Sequence, residues 1–361
     1  MSEVETKQLK KRYKGCQTRK EQWRAIYEEA YEYCLPMRNL YDGYYEQDTP
    51  GQNKMKRVFD STAIHSTARF ANRIQSALFP PQQQWCRLRP GSEVPPERSI
   101  EAQQVLDMYN QKMFSVMRQS GFDLAIGEFL LDLAVGTAVM LIQKGDETQP
   151  IRYTAIPMYQ ITFDEGPDGK PNYVFRKFKR PFEVVEQEFP GVEFPEEVLS
   201  KYREKPMEYI ELLEATYPDK ETGKTNYCLM TMEGDHKILH KTLKSSPWVI
   251  SRFMVAPGEI MGRGPCLYAL PDIKTLNKVI ELNLKNASLS IGGVFTAVDD
   301  GVLNPQAIQI VPGAIIGVSS NGGPRGPSLA PLPRSGDTNL SQLIANDLRM
   351  NIKKTLYDES L

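Results

Sequence analysis

The chain has 361 residues, 44 basic and 45 acidic side chains and a formal charge of −1. That length is enough to bury a sizeable core and to hold two or three domains. Charge this balanced argues against a tight, general grip on nucleic-acid phosphates, which takes a clear basic excess, although it is compatible with DNA sliding past. Cys16, Cys34, Cys86, Cys228 and Cys266 are scattered without CxxC spacing and predict free thiols rather than a disulfide framework. MSEVETKQLKKRYKG at the N-terminus lacks the apolar core of a signal peptide. The most apolar run, residues 129–142, carries Asp132 and is too short to span a bilayer. A protein soluble and intracellular at synthesis is expected.

Residues 5–35 predict a helix: Leu9, Tyr13, Trp23, Ile26, Tyr27, Ala30, Tyr31 and Cys34 recur mostly three or four apart, and Pro36 ends it. Turn formers fill NLYDGYYEQDTPGQN. A second helix covers residues 61–79, with Ile64, Ala68, Ala71, Ile74, Ala77 and Leu78 on one face, and Pro80 and Pro81 stop it. WCRLRPG, residues 85–91, alternates like a short strand. A third helix starts near Pro96 with a stripe of Val105, Met108, Tyr109, Met113, Val116 and Met117, and a fourth covers residues 123–135.

The period then switches to two. TAVMLIQKG, IRYTAIP, YQITFDE and NYVFRKFKR read as strands, with EGPDGKPN turning between the last two. PFEVVEQEF and PEEVLSKYREK are short helices, and EYIELLEATYP, NYCLMTMEG, HKILHKTLK and WVISRFMVA are further strands. The fold class is therefore α+β with a mainly antiparallel sheet. Residues 265–291 return to helix, with Ile273, Leu276, Ile280, Leu284 and Ala287 on one face. Pro265 suits its first turn, and Pro271 is expected to kink it or shift its start. Residues 292–336 are rich in Gly and Pro with short β-like pieces. Residues 339–357 form a last helix striped by Leu340, Ile344, Leu348, Ile352 and Leu356. No capping glycine follows it, so further C-terminal material is expected in the full product.

Catalytic motifs are weak. Gly262-Arg263-Gly264 resembles the start of a phosphate loop, but Pro265 lacks an N–H and Lys274 lies ten residues past Gly264, so a turn admitting a helix is favoured. His236 and His240 are four apart in a strand-like segment, with no Cys or carboxylate completing a metal set. His65 beside Ser66 lacks a nucleophile elbow. Asp164-Glu165 and Asp299-Asp300 flank glycines and suit turns better than acid–base work or Mg²⁺. YVFRKFKRPF, residues 173–182, alternates as a half-buried strand with a basic outer face; stacking and pairing with nucleic acid is the less favoured reading. No cofactor, metal or catalytic residue is assigned.

What remains is architectural. Two amphipathic helices flank a compact insertion, and at 1.5 Å per residue they reach ~30–40 Å. Apolar stripes this wide suit helices packed side by side around a ring, and equally an ordinary helical hairpin inside one subunit.

RFANRIQSALFPPQQQWCRL, GRGPCLYALPDIKTLNKVIELNLKNASLSI and DDGVLNPQAIQIVPGAI, in that order, resemble the head-to-tail connector, or portal, family of short-tailed bacteriophages. The resemblance covers most of the chain. It implies a non-enzymatic ring, usually a dodecamer, at one capsid vertex of the virion, assembled in the host cytoplasm, with viral DNA packaged and ejected through an axial channel. It implies a portal fold: a wing at 1–260 (helical 1–135, mainly antiparallel β 136–260), a first stem helix at 261–291, a clip at 292–336 and a second stem helix at 337–361. The channel loop and crown that follow in the family would begin where this sequence stops. Implied partners are further copies of the chain, the major capsid and scaffolding proteins, terminase, tail adaptors and double-stranded DNA, with no membrane. Lys274, Lys278, Lys285, Arg349, Lys353 and Lys354 lie on the implied stem helices. Some are expected to face the lumen and touch phosphates transiently, and others to pair with Asp272, Glu281 or Asp347 across subunits. Asp299, Asp300, Arg325 and Arg334 become candidates for partner docking on the clip. The alternatives are a nuclease or ATPase subunit of the packaging apparatus, or a non-conducting scaffold or adaptor.

Overall fold

The structure is a computed structural model that describes residues 3–38, 55, 57–81, 83–167, 169–189, 191–203, 205–219, 222–234, 236–292, 295–297, 329–331 and 338–359. The chain forms two compact units, residues 1–271 with 352–361, and residues 272–351.

The first unit opens with two helices where the sequence predicts one. α1 (Glu3–Glu21) and α2 (Arg24–Cys34) are separated by a turn at Gln22 and Trp23. Neither residue breaks helices by itself, so packing decides. The Trp23 ring meets Tyr27 edge-on at 6.0 Å and carries the Arg263 guanidinium 4.9 Å above it. The break lets α1 and α2 follow different surfaces. Lys20 helps fix the end of α1: its ammonium donates to the carbonyl oxygens of Met158, Tyr159 and Ile161 at 2.6, 3.0 and 2.7 Å.

α3 (Thr62–Leu78), α4 (Pro96–Gln119) and α5 (Phe122–Val135) follow. Residues 85–91 form no strand. The side chain of Asn110, buried on α4, takes the place of a partner strand by accepting from the Leu88 N–H at 2.9 Å. Trp85 instead joins an aromatic cluster with Phe79, Phe114 and Phe122, at centroid distances of 5.0, 5.5 and 5.8 Å. The α4 stripe also differs from expectation. Asn110 and Phe114 are its buried residues, while Val105, Met108 and Tyr109 lie on the exposed side.

Among the described residues of this unit all strand pairs are antiparallel, but the strands divide into two sheets rather than one. β1 (Thr137–Lys144) lies between β2 (Ile151–Ala155) and β8 (Trp248–Arg252). β3 (Ile161–Glu165), β4 (Pro171–Pro181), β5 (Tyr209–Pro218), β6 (Thr225–Thr231) and β7 (Lys237–Leu243) form a second sheet in chain order. Alternate residues of β5 face two different cores, as the strand period requires. Leu213, Ala215 and Tyr217 pack with Leu9, Tyr13 and Cys16 of α1. Ile210 and Leu212 pack with Phe182 and Val185 of α6 (Phe182–Glu188) and Tyr202 of α7 (Glu196–Tyr202). The five-stranded sheet is therefore the middle of three layers. The Trp248 indole ties the two sheets together by donating to the buried Thr216 hydroxyl at 2.9 Å.

Two charged networks sit inside this unit. Asp132, on the most apolar helix, is 1% exposed and receives Arg38 Nε and Nη2 at 3.0 and 2.7 Å and the Tyr31 hydroxyl at 3.1 Å. Arg176 of β4 pairs with Glu214 of β5 at 3.2 Å, and the Tyr227 hydroxyl donates to the same carboxylate. Burial raises the pKa of Asp132 and of Glu214, and the facing arginines and tyrosines pull it back only in part.

In the second unit, α8 (Pro265–Gly292) continues beyond Pro271, and α9 (Thr338–Thr355) contributes residues up to 351. Pro271 neither ends nor delays α8, whose first residue is Pro265; it removes one N–H from the helical ladder. β9 (Phe295–Ala297) and β10 (Leu329–Pro331) pair antiparallel with Thr296 opposite Ala330.

Candidate functional site

The glycines before α8 are built for close backbone approach. The Gly264 N–H donates to Val135 O at 2.9 Å, Arg263 N–H to Met254 O at 2.8 Å and Gly262 N–H to Thr137 Oγ1 at 2.8 Å. The Tyr27 hydroxyl donates to Gly262 O, and Phe253 N–H to Gly136 O at 2.9 Å. A β-carbon on Gly264 would stand 2.5 Å from the Val135 carbonyl carbon and 2.7 Å from that of Ala134. The start of α8 is thus pressed against the junction of α5 and β1. All three N–H groups of the GRG sequence point at protein acceptors, and Pro265 has none. Nothing is left here to hold a phosphate.

α9 ends in the same unit. Tyr357 adopts the left-handed conformation (φ 55°), with Tyr357 N–H donating to Lys354 O at 3.1 Å and Asp358 N–H to Lys353 O at 2.8 Å. This pair of bonds is the Schellman arrangement, made without the usual glycine. Asp358 then turns inward. Its carboxylate accepts from Ser66 Oγ at 2.8 Å and from Arg69 Nη1 at 3.2 Å, both on α3. Neighbouring Thr67 meets the Cys266 thiol of α8 at 3.4 Å. One turn of α3 therefore holds the root of α8 and the end of α9 together. This shared anchor is not visible in the sequence, because Ser66, Thr67 and Asp358 match no motif.

Beyond the roots, both helices expose apolar side chains. Cys266, Leu270, Ile273 and Leu276 are buried, whereas Leu282 and Leu284 are 53% and 55% exposed. At the end of α9, Ile352 and the following Leu356 are fully buried, whereas Leu340, Leu343 and Met350 are exposed. The six predicted basic residues fall on these helices. Lys278 and Lys285 both reach Glu281, at 3.1 and 2.6 Å, within their own helix. Hydrogen bonds from Lys285 and Lys278 hold the Glu281 carboxyl below its ordinary range. Arg349 donates to Asn346 Oδ1 at 3.1 Å, and Lys274, Lys353 and Lys354 are exposed. Asp299, Asp300, Arg325 and Arg334 lie outside the described residues.

Other candidate chemistry has structural employment. His236 faces Glu197 at 3.3 Å, and at ~3.3 Å of rise per strand residue His240 stands roughly 13 Å further along. No group of three His, Cys, Asp or Glu among the described residues is placed to hold a metal. Ser66 serves Asp358, not His65. Burial disfavours the Asp164 carboxylate, but hydrogen bonds from Arg19 and Arg12 outweigh it and leave the pKa below its ordinary value. Glu165 pairs with Arg252. The basic residues of β4 are split between its two faces rather than gathered on one outer face, because neighbouring strand residues point opposite ways. Arg176 is buried against Glu214, while Lys177 pairs with Glu211 and Arg180 with Glu188. The half-buried strand is therefore found, but not the single basic outer face expected of it. No helix among the described residues is long and apolar enough to cross a membrane.

The family model described as bacteriophage head to tail connecting protein matches residues 6–361, and the chain belongs to that family. Among solved structures, the chain is similar to one from the virion of a native gene transfer agent particle, with a TM-score of 0.40 and 12% identity over 85% of this chain and 69% of that one. It is also similar to one from the neck of an empty particle of that kind, with a TM-score of 0.38 and 12% identity over 84% and 69%. No curated protein matches the sequence.

Proposed function

We propose that the chain is a portal subunit. Copies of it close into a ring at one capsid vertex, and viral DNA is packaged and ejected through the central hole. The observation that carries this reading is the family match across residues 6–361. The shared anchor on α3 supports the finer assignment. α8 and α9 act as stem helices rooted in the wing at 1–260, and residues 292–336 act as a clip that docks terminase during packaging and tail adaptors afterwards.

Exposed leucines on both helices suit lateral contact with neighbouring subunits, since apolar area of this kind is covered in an assembly. A conduit must not hold DNA tightly. Near-zero net charge serves that requirement, as does a glutamate placed between two lysines of α8. The protein is read as non-enzymatic. Native mass spectrometry of the purified chain, with ATPase and nuclease assays alongside, tests the proposal. A closed oligomer without either activity is expected; a monomer that hydrolyses ATP or cuts DNA overturns it.

A further inference from the structure

The outer layers of the three-layer module carry opposite charges. α1 has seven basic residues against three acidic ones. Thr6, Leu9, Tyr13 and Cys16 turn one face of it to the sheet, which leaves Lys7, Lys11 and Lys14 as an exposed ridge along the other. On the opposite side of the same sheet, α6, α7 and the residues between them (182–202) contain six glutamates and a single basic residue, Lys201, which pairs with Glu233. Glu183, Glu186, Glu193 and Glu196 are exposed there, with Val184, 38% exposed, among them.

We infer that these surfaces are the two halves of one head-to-tail contact, in which the lysine ridge of α1 on one copy docks on the glutamate face of α6 and α7 on the next. Separated by a sheet, they cannot meet within one molecule. A two-fold contact would allow like charges to face each other, whereas a repeating head-to-tail contact gives every copy one donor and one acceptor surface. Complementary charge of this kind fixes register and suppresses wrong pairings more than it adds raw affinity. The inference rests on the ring reading and adds to it the surfaces that set the direction of assembly.

Charge reversal tests it. K7E/K11E/K14E, E183K/E186K/E193K/E196K and the chain carrying all seven changes are compared with the parent by sedimentation velocity at low and high salt. Circular dichroism checks that each still folds. Each half-reversed chain is expected to need at least about tenfold more protein to assemble. The seven-fold variant, complementary again, is expected to recover assembly with itself, and salt is expected to weaken the parent. Half-reversed chains that assemble like the parent overturn this inference and leave the ring reading standing. A parent that stays monomeric at every concentration overturns both. Unchanged assembly with lost duplex-DNA retention in the lysine variant reassigns the ridge to nucleic acid and also overturns the inference.

Discussion

Replacing Gly264 with alanine tests how α8 is rooted. In open space the exchange would stabilise slightly, by ~0.4–1 kcal/mol, because alanine has less freedom to lose on folding. Gly264 has no such space. Its new β-carbon would lie 2.5 and 2.7 Å from the carbonyl carbons of Val135 and Ala134, against an ordinary contact of about 3.5 Å. Relief requires the start of α8 to retreat by about 1 Å. That shift takes the Gly264–Val135 hydrogen bond from 2.9 Å beyond useful range and loosens its neighbours at Gly262 and Arg263. One or two lost bonds at ~0.5–1.5 kcal/mol each, added to an overpacking cost of ~1–3 kcal/mol and set against the small entropic gain, give a net destabilisation of ~1–5 kcal/mol. Gly15, exposed inside α1 with nothing within 4 Å of its β-position, supplies the contrast: Gly15→Ala stabilises by ~0.5–1 kcal/mol. Urea denaturation of the two variants at a concentration where the parent is unassembled measures both signs. Gly264→Ala with parental stability refutes the close-approach account of this junction.

Arg38→Met strands the Asp132 carboxyl in the core and costs ~3–5 kcal/mol in the same assay, and the triple change Arg38→Met, Asp132→Leu, Tyr31→Phe recovers most of it. A triple variant as unstable as the single one contradicts that. Asp164 is held low by Arg19 and Arg12, so its contribution is present above the unfolded carboxyl value near ~3.9 and disappears as pH falls through the lower folded value. The stability gap between the parent and Asp164→Asn, about 1 kcal/mol for a partly exposed group, is therefore widest above about pH 5 and closes on acidification. Urea midpoints of both chains across that range follow it. Glu281→Gln releases two lysines of α8, and in assembled protein it is expected to raise duplex-DNA retention on filters and to steepen the salt dependence by about one to two. Unchanged retention removes those lysines from the DNA path.

Most of the fold could be read from periodicity, and the site could not. Among the described residues, and apart from residues 85–91, helices and strands from Thr62 to Arg252 fall close to their expected places because the apolar spacing of three, four or two is set locally. The failures lie where tertiary packing overrides local pattern. Trp23 breaks a helix that has no breaker in it, and Trp85–Gly91 alternates like a strand yet finds a side-chain amide instead of a ladder. In α4 the long stripe marks exposed apolar surface as well as core, and sequence periodicity cannot tell a subunit's interior from a face covered by another chain. Asp132 stood out as a charge in an apolar run, but nothing local identified Arg38 and Tyr31 as its partners. The anchor of α8 and α9 joins Thr67 to Cys266 and Ser66 to Asp358, across 199 and 292 residues of sequence, and the helix is capped by a tyrosine, so the missing capping glycine did not mark its end.

End-on electron-microscope images of the purified chain test the central claim most directly. Closed rings with a central hole wide enough for duplex DNA are the expected result. Particles without a through-hole, or open filaments and monomers at every concentration, would contradict it.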